Sequence, residues 1–231
     1  MIIQKLEPSK HKEGRWLVWL EDGSPVRIGE GDVVSLGLYA GKELTDGEAE
    51  ALAAAEIRAK LMERAVGLLS LRPMSRKELL DKLCAPPRVK KGKYPYDKLD
   101  DTPDPETLQS GREALLAQAE SVADRLTDLG LLNDAEYART VVRHYAAKGY
   151  GSRKLRDELY RRGVSREYWE DALGEREPED SQIDKLARQK LRGAEPTREN
   201  LKKVSDYLAR RGYGWEEISS ALERIREEYD T

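Results

Sequence analysis

Three residue types are scarce in this chain: it has one cysteine, two histidines and no phenylalanine among 231 residues. Cys84 alone cannot form an internal disulfide, and nothing near it resembles a metal site. No apolar stretch approaches the ~20 residues of a membrane span, and no N-terminal apolar run follows the signal-peptide pattern. These absences lead us to expect a soluble cytoplasmic protein without a metal or other cofactor.

Charged residues, by contrast, are abundant. They make up 37% of the chain, against roughly 25% in an average globular protein. The formal net charge is nevertheless only −3, so the molecule as a whole is not a polycation. A contact with nucleic acid would therefore need a local basic face.

The first 45 residues have the pattern of a small β-module. In a strand at Arg15–Leu20, Trp16, Val18 and Leu20 fall on one face and Leu17 and Trp19 on the other. Glu21-Asp22-Gly23 is typical of a hairpin turn. Residues 25–28 would form the returning strand. Three short strands are marginal alone, so we expect the module to pack on the first helix.

Helical patterns dominate from Thr45 onward. Thr45 and Glu48 are spaced as a capping box, and Arg72-Pro73 would end the long helix that follows. The apolar face of this helix is expected to carry Ile57, Leu61, Ala65 and Leu68. Prolines, lysines and aspartates interrupt the pattern at residues 84–111, with few apolar residues among them. Because such a composition does not offset its ordering entropy, we expect a mobile insertion there.

An internal repeat appears in the C-terminal half. Residues 159–163 read Leu-Tyr-Arg-Arg-Gly and residues 208–212 read Leu-Ala-Arg-Arg-Gly, an offset of 49 residues, and Ala-Leu follows each at the same distance. Repeats of this size indicate small supersecondary units that share a core with their neighbours. Each unit here fits three helices.

The sequence thus predicts a mainly α protein of three tandem three-helix units, elongated and curved, with a small N-terminal β-module. The predicted boundaries are 1–45 for the β-module and 46–131 for the first unit, which carries the insertion at 84–111. The second unit spans 132–176 and the third 180–231.

No pattern of catalytic residues stands out. The chain has no Gly-x4-Gly-Lys-Ser/Thr loop and no His/Cys cluster. The Gly-Tyr-Gly sequences at 149–151 and 212–214 are typical of turns. We therefore predict a binding protein rather than an enzyme.

Charge is distributed unevenly along the second unit. Residues 137–163 carry eight basic and two acidic residues, a net charge of +6, and residues 164–184 carry −6. The first stretch predicts a basic face that meets an acidic groove or a phosphate backbone. The predicted partner- or DNA-binding residues are Arg139, Arg143, Lys148, Arg153, Lys154, Arg156, Arg161 and Arg162, extended by Lys202, Lys203, Arg210 and Arg211.

Four motifs in this order resemble the RecX family, the regulators of the RecA recombinase. They are residues 68–79 (Leu-Leu-Ser-Leu-Arg-Pro-Met-Ser-Arg-Lys-Glu-Leu), 129–138 (Leu-Gly-Leu-Leu-Asn-Asp-Ala-Glu-Tyr-Ala), 151–155 (Gly-Ser-Arg-Lys-Leu) and 211–213 (Arg-Gly-Tyr). The strands up to residues 41–44 also look like the β-module that some members carry. The resemblance covers nearly the whole chain except the insertion.

Two departures from the family pattern are visible. Tyr137 and Tyr213 stand where the family often has phenylalanine, which preserves an aromatic side chain. The proline-rich insertion is not a family feature and leaves the geometry of the first repeat open.

The resemblance implies a three-repeat helical protein that lies in the groove of the RecA–single-stranded DNA filament and mostly inhibits strand exchange and ATP hydrolysis. It implies roles in DNA repair, homologous recombination and the SOS response. The expected partners are the RecA nucleoprotein filament and single-stranded DNA, and we expect a monomer. Two alternatives remain open: an independent DNA-binding repeat protein and a protein-only interaction scaffold.

Overall fold

The fold was obtained as a computed structural model that describes residues 1–21, 23, 25–85, 105–175 and 179–230. The chain folds into two compact units. Unit 1 consists of Met1–Pro73 and Leu79–Leu132, and unit 2 of Met74–Glu78 and Asn133–Thr231. The mainly helical fold class with an N-terminal sheet is confirmed, whereas the predicted boundaries of the β-module and the three helical units stay predictions.

The N-terminal module is an antiparallel sheet in the order β1 (Ile3–Pro8), β2 (Arg15–Leu20) and β3 (Pro25–Gly29). The predicted alternation is confirmed, because Val18 and Leu20 are buried while Trp19 on the opposite face donates its indole N–H to Glu7.

A short helix that the sequence analysis missed, α1 (Glu30–Ser35), follows the sheet. The Asp32 carboxylate accepts a hydrogen bond from the Gly29 N–H at 3.3 Å and so caps its first turn.

The sheet packs on the first long helix, α2 (Asp46–Leu71), as the sequence predicted. Leu52 and Ala55 of α2 share a buried cluster with strand residues that include Ile28. Ile57 was expected on the inner face, but 40% of its surface is exposed, because the buried face of α2 runs through Leu52, Ala55, Leu61 and Ala65 instead.

Both ends of α2 follow the predicted signals. The Thr45 hydroxyl accepts from the Glu48 N–H, and the Glu48 carboxylate accepts from the Thr45 N–H at 2.9 Å, which completes the capping box. Arg72 is extended, with φ −166° and ψ 153°, immediately before Pro73. Local sequence therefore determines where this helix begins and ends.

The capping box makes a pH-dependent contribution to stability. A hydrogen bond from Lys42, followed by the bonds from Thr45, lowers the pKa of Glu48 from 4.5 to about 2. Because the pKa is lowered in the folded state, this stabilisation is complete above the unfolded value and is lost as the pH falls toward 2. We expect Glu48→Gln to be less stable than the parent chain at pH 7, with a difference that shrinks below pH 4.5.

Thermal unfolding followed by circular dichroism between pH 7 and pH 3 measures this difference. Glu50→Gln, in the same first turns of α2, is the matched control and should reproduce the parent profile. A Glu48→Gln deficit that stays constant with pH would contradict the electrostatic origin.

Two helices complete unit 1: α3 (Arg76–Leu83), whose first residues belong to unit 2, and α4 (Pro105–Asp128). The predicted insertion reached residue 111, but α4 already begins at Pro105, where a proline in the first turn loses no helical hydrogen bond. Residues 86–104 of the predicted insertion lie outside the described residues.

Unit 2 continues with α5 (Asp134–Ala147), α6 (Ser152–Arg161), a 3-10 turn at Arg166–Tyr168 and α7 (Trp169–Gly174). These elements enclose a core that includes Val141, Leu155, Leu159 and Leu173. Their order follows the three-helix pattern read from the sequence.

A second group consists of α8 (Glu179–Leu191), α9 (Arg198–Arg210) and α10 (Trp215–Asp230). Its core includes Ile183, Val204, Leu208, Ile218 and Ile225. The two consecutive three-helix groups confirm the repeat over this part of the chain.

The repeated motif forms two equivalent helix ends. Gly163 after α6 and Gly212 after α9 have φ of 68° and 90°, a left-handed conformation that glycine adopts without a steric penalty. The next residue donates its N–H to the buried leucine that opens the motif: Val164 to Leu159 O at 3.1 Å, and Tyr213 to Leu208 O at 3.3 Å. The pattern is that of a glycine C-cap.

Candidate partner-binding surface

The end of α9 is hydrogen-bonded to the start of α6. The Gly151 N–H donates to Arg211 O and the Arg153 N–H donates to Gly212 O, each at 3.0 Å. The Arg153 guanidinium donates to Ala209 O at 2.8 Å. The two three-helix groups therefore share a backbone junction.

Gly151 is needed at this junction for close approach rather than for its own backbone angle. It occupies the N-cap position of α6 with an ordinary φ of −81°. A Cβ at this position would lie 2.6 Å from the Tyr213 nitrogen and 2.7 Å from the Gly212 carbonyl carbon. No larger residue fits without moving backbone.

A related contact joins the start of α3 to the end of α6, within unit 2. The buried Ser75 hydroxyl donates to Arg162 O at 2.5 Å, and the Arg76 N–H donates to the Asp134 carboxylate at 2.7 Å. Burial raises the pKa of Asp134, partly offset by that N–H donor. Equivalent helix ends thus make equivalent carbonyl contacts.

Arg211 is part of this framework rather than a freely exposed cation. Its Nη1 donates to Lys148 O at 2.7 Å and to Gly149 O at 3.2 Å. Its guanidinium carbon also lies 5.6 Å from the Tyr150 ring centroid and 4.9 Å from the Tyr207 ring centroid, within cation–π range. The side chain ties the turn before α6 to α9.

Arg162 has a comparable structural role within the first three-helix group, α5–α7. It donates to the Tyr137 hydroxyl at 3.1 Å and to the Tyr145 hydroxyl at 3.2 Å. The same Tyr145 ring lies 5.2 Å from the Lys148 ammonium. These cations are engaged by aromatic side chains.

Four further predicted residues pair with carboxylates. The shortest N–O distances are 2.7 Å for Arg139–Glu175, 2.6 Å for Arg143–Glu136, 3.2 Å for Arg156–Glu170 and 3.1 Å for Arg161–Glu158. Glu170 and Glu175 belong to the acidic stretch that follows the basic one. The acidic stretch therefore neutralises part of the basic one, because α7 packs on α5 and α6 and brings acids to Arg139 and Arg156.

Three of the exposed predicted cations, Lys202, Lys203 and Arg210, lie on α9. Within the part of the chain that the structure describes, no carboxylate lies within 4.0 Å of their charged atoms. Lys154, by contrast, lies with its backbone and Cβ against Gly212. We define the α9 surface as Lys202, Lys203 and Arg210.

Two exposed cations beside this surface, Lys190 and Arg192, were missed by the sequence analysis. They lie on either side of Leu191 at the C-terminal end of α8, where the helix dipole stabilises basic residues. Only the packing of α8 on α9 brings them near Lys203. No local signal in the sequence predicts that proximity.

Metal-binding and membrane-spanning features are absent from the described residues. These residues contain no group of three or more His, Cys, Asp and Glu side chains that could hold a metal ion. Among the same residues, no helix combines the length and apolar character needed to cross a membrane.

His144 has an aromatic contact. Its ring packs edge-on against the Tyr145 ring, with 5.2 Å between the two ring centroids.

Two family models match the helical part of unit 2. One, described as the second three-helix domain of RecX, matches residues 133–173, and the other, the third three-helix domain of RecX, matches residues 178–222. These matches coincide with the two consecutive three-helix groups.

Curated relatives named regulatory protein RecX are also similar. The one from Serratia proteamaculans is 33% identical over 162 residues, which cover 69% of this chain and 94% of that protein. The one from Xanthomonas axonopodis pv. citri is 34% identical over 162 residues, which cover 69% of this chain and 84% of that protein.

Two solved structures share the fold. A crystal structure of regulatory protein RecX has a TM-score of 0.69 at 25% identity and covers 98% of both chains. The structure of RecX from Lactobacillus salivarius has a TM-score of 0.56 at 20% identity, covering 74% of this chain and 97% of that one.

Proposed function

Because this chain belongs to the RecX family, we propose that it regulates RecA by binding the RecA–single-stranded DNA filament. Binding would restrain strand exchange and the associated ATP hydrolysis. The ATP would be bound and hydrolysed by RecA, not by this chain. The observation that carries the proposal is the similarity to a relative named regulatory protein RecX over 94% of that relative's length.

Two structural features support a binding role. The backbone junction at Gly151 and Arg153 connects the two three-helix groups of unit 2, so α6 and α9 have a defined position relative to one another, and a preorganised backbone loses less entropy on binding. The α9 surface presents three cations that have no acidic partner among the described residues.

The α9 surface is a better candidate contact than the arginines of α5 and α6. Arg139, Arg143, Arg156 and Arg161 already pair with carboxylates, so a partner would have to replace those pairs. Lys202 and its neighbours would gain a partner without losing one. We therefore propose α9 as the centre of the interface.

The direct test measures the ATPase rate of RecA on single-stranded DNA while this chain is titrated in, together with co-sedimentation of the filament. We expect the rate to fall as the chain approaches stoichiometric amounts and the chain to sediment with the filament. An unchanged rate together with no co-sedimentation would refute the proposal.

The residue-level prediction concerns the triple variant Lys202→Glu/Lys203→Glu/Arg210→Glu. We expect it to bind the filament about tenfold more weakly at low salt, because favourable long-range attraction becomes repulsion. The difference should narrow as added salt screens the charges. Co-sedimentation at two salt concentrations measures both effects.

A matched control reverses three exposed cations of unit 1, which changes the net charge by the same amount. These are Lys5, Lys60 and Arg112. We expect this control to bind nearly as the parent chain does. Equal weakening of both variants would show that only net charge matters and would reject the α9 surface.

A further inference from the structure

A small cavity lies between the C-terminal end of α8 and the N-terminal turns of α9. Its volume is about 280 Å³, and it is lined by Lys190, Leu191, Arg192, Asn200, Lys203 and Val204. Three of the six lining residues are cations and none is acidic. It lies entirely within the second three-helix group of unit 2.

The three cations have no acidic partner in the described part of the chain, where no carboxylate lies within 4.0 Å of their charged atoms. Glu195, Glu199 and Asp206, the acids nearest in sequence, do not line the cavity. Like charges that converge on one cavity repel one another, and a bound anion would relieve that repulsion.

Part of this arrangement has an ordinary explanation. Lys190 and Arg192 lie at the C-terminal end of α8, where cations are favourable on any helix. Lys203 has no such explanation. It lies in the N-terminal half of α9, where the helix dipole does not stabilise a cation. The helix dipole alone therefore does not account for the third cation.

Two of the cations have distinctive local geometry. The Lys190 ammonium lies 5.4 Å from the centroid of the Tyr207 ring, which also lies 4.9 Å from the Arg211 guanidinium carbon. Arg192 has a φ of 54°, a left-handed backbone conformation that few non-glycine residues adopt. Glycine would be the less strained residue there, yet the chain carries a guanidinium.

We propose that this cavity binds a phosphate group through Lys190, Arg192 and Lys203. Phosphate fits better than a carboxylate because its several oxygens accept from more than one cation at once. The N–H groups in the first turn of α9, close to Asn200, add positive potential of the sign that attracts anions. The phosphate could belong to a nucleic-acid strand or be free in solution.

The inference goes beyond filament regulation, since the ligand would be bound by this chain without RecA. The experiment uses the full ¹⁵N-labelled chain at constant ionic strength. Its amide resonances are followed by NMR during titration with inorganic phosphate and, separately, with a thymidine oligonucleotide lacking a terminal phosphate. Saturable shifts confined to residues 190–204 are expected with at least one probe.

The test variant is Lys190→Gln/Lys203→Gln, and the matched control is Lys185→Gln/Arg198→Gln. The control removes two exposed cations from the same two helices without touching the cavity. We expect the test variant to bind at least about tenfold more weakly, the effect of losing one charge-assisted hydrogen bond, and the control to bind like the parent chain.

Each outcome decides the proposal. Saturation by the oligonucleotide alone supports a strand phosphate, saturation by inorganic phosphate alone supports a free phosphate, and saturation by both supports a general phosphate site. No saturable shift with either probe, or equal weakening of the two variants, overturns it. A variant that still binds phosphate but no longer regulates RecA would leave the phosphate site intact and would show that RecA regulation depends on other contacts of the replaced residues.

Discussion

Replacing Gly151 by alanine will lower the free energy of unfolding of this chain by about 1–3 kcal/mol, the usual cost of inserting a methyl group where there is no space. The backbone conformation is not the reason, because the φ of −81° suits any residue. The added Cβ would lie 2.6 Å from the Tyr213 nitrogen and 2.7 Å from two atoms of Gly212.

These neighbours are backbone atoms, so no side-chain rotation can relieve the clash. The helix end after α9 would have to withdraw from the start of α6. That movement would lengthen the hydrogen bonds from the Gly151 N–H to Arg211 O and from the Arg153 N–H to Gly212 O. The cost therefore combines overpacking with weakened hydrogen bonds.

Urea unfolding of the full chain, followed by circular dichroism, measures the effect. Gly174→Ala is the matched control, because Gly174 ends α7 and a Cβ there meets no atom within 4 Å. We expect the control to match or slightly exceed the parent in stability. Equal stability of both variants would show that the junction yields easily and that Gly151 has no packing role.

The second large effect concerns the ion pair between α8 and α10. Asp184 is only 8% exposed and accepts two hydrogen bonds from Arg224, from Nε at 2.9 Å and from Nη2 at 2.8 Å. Arg224→Met keeps the aliphatic part of the side chain but removes its charge. We expect a loss of about 3 kcal/mol, because a nearly buried carboxylate would lose its bidentate cation.

The chain contains its own control for this prediction. Arg188 and Glu228 form a second pair between the same helices, one turn further along each, with side chains 49% and 46% exposed. Arg188→Met should cost much less stability than Arg224→Met, since exposed pairs contribute little. Equal losses in the two variants would show that burial does not determine the strength of these pairs.

Compensation provides a further check. Asp184→Asn in the Arg224→Met background removes the charge that was left without its cation. We expect this double variant to recover part of the lost stability, which a double-mutant cycle measures directly. An additive loss would mean that the two side chains act independently.

Much of the fold follows from signals that act over a few residues. Thr45 and Glu48 cap α2, Pro73 follows its end, and Gly163 and Gly212 close equivalent helices. The alternation along β2 is equally local. Short-range steric and hydrogen-bonding rules operate before any tertiary contact forms, which is why these features could be predicted.

The charged surface of the first three-helix group, α5–α7, could not be predicted in this way. Charges counted along the chain suggested a basic face on α5 and α6, yet Arg139 and Arg156 meet Glu175 and Glu170. The two partners of each pair lie on different helices. Whether such groups meet depends on helix packing rather than on their order in the chain.

By itself, the sequence determined the helix ends, the 49-residue repeat and the family resemblance, because caps, apolar periodicity and motif order are local properties. Tertiary structure alone decided which cations have no acidic partner among the described residues, and why Gly151 is glycine. Both depend on distances between different segments of the chain: α7 brings acidic partners to Arg139 and Arg156 of the first three-helix group, and the turn at Gly212 fills the space where a side chain at 151 would lie.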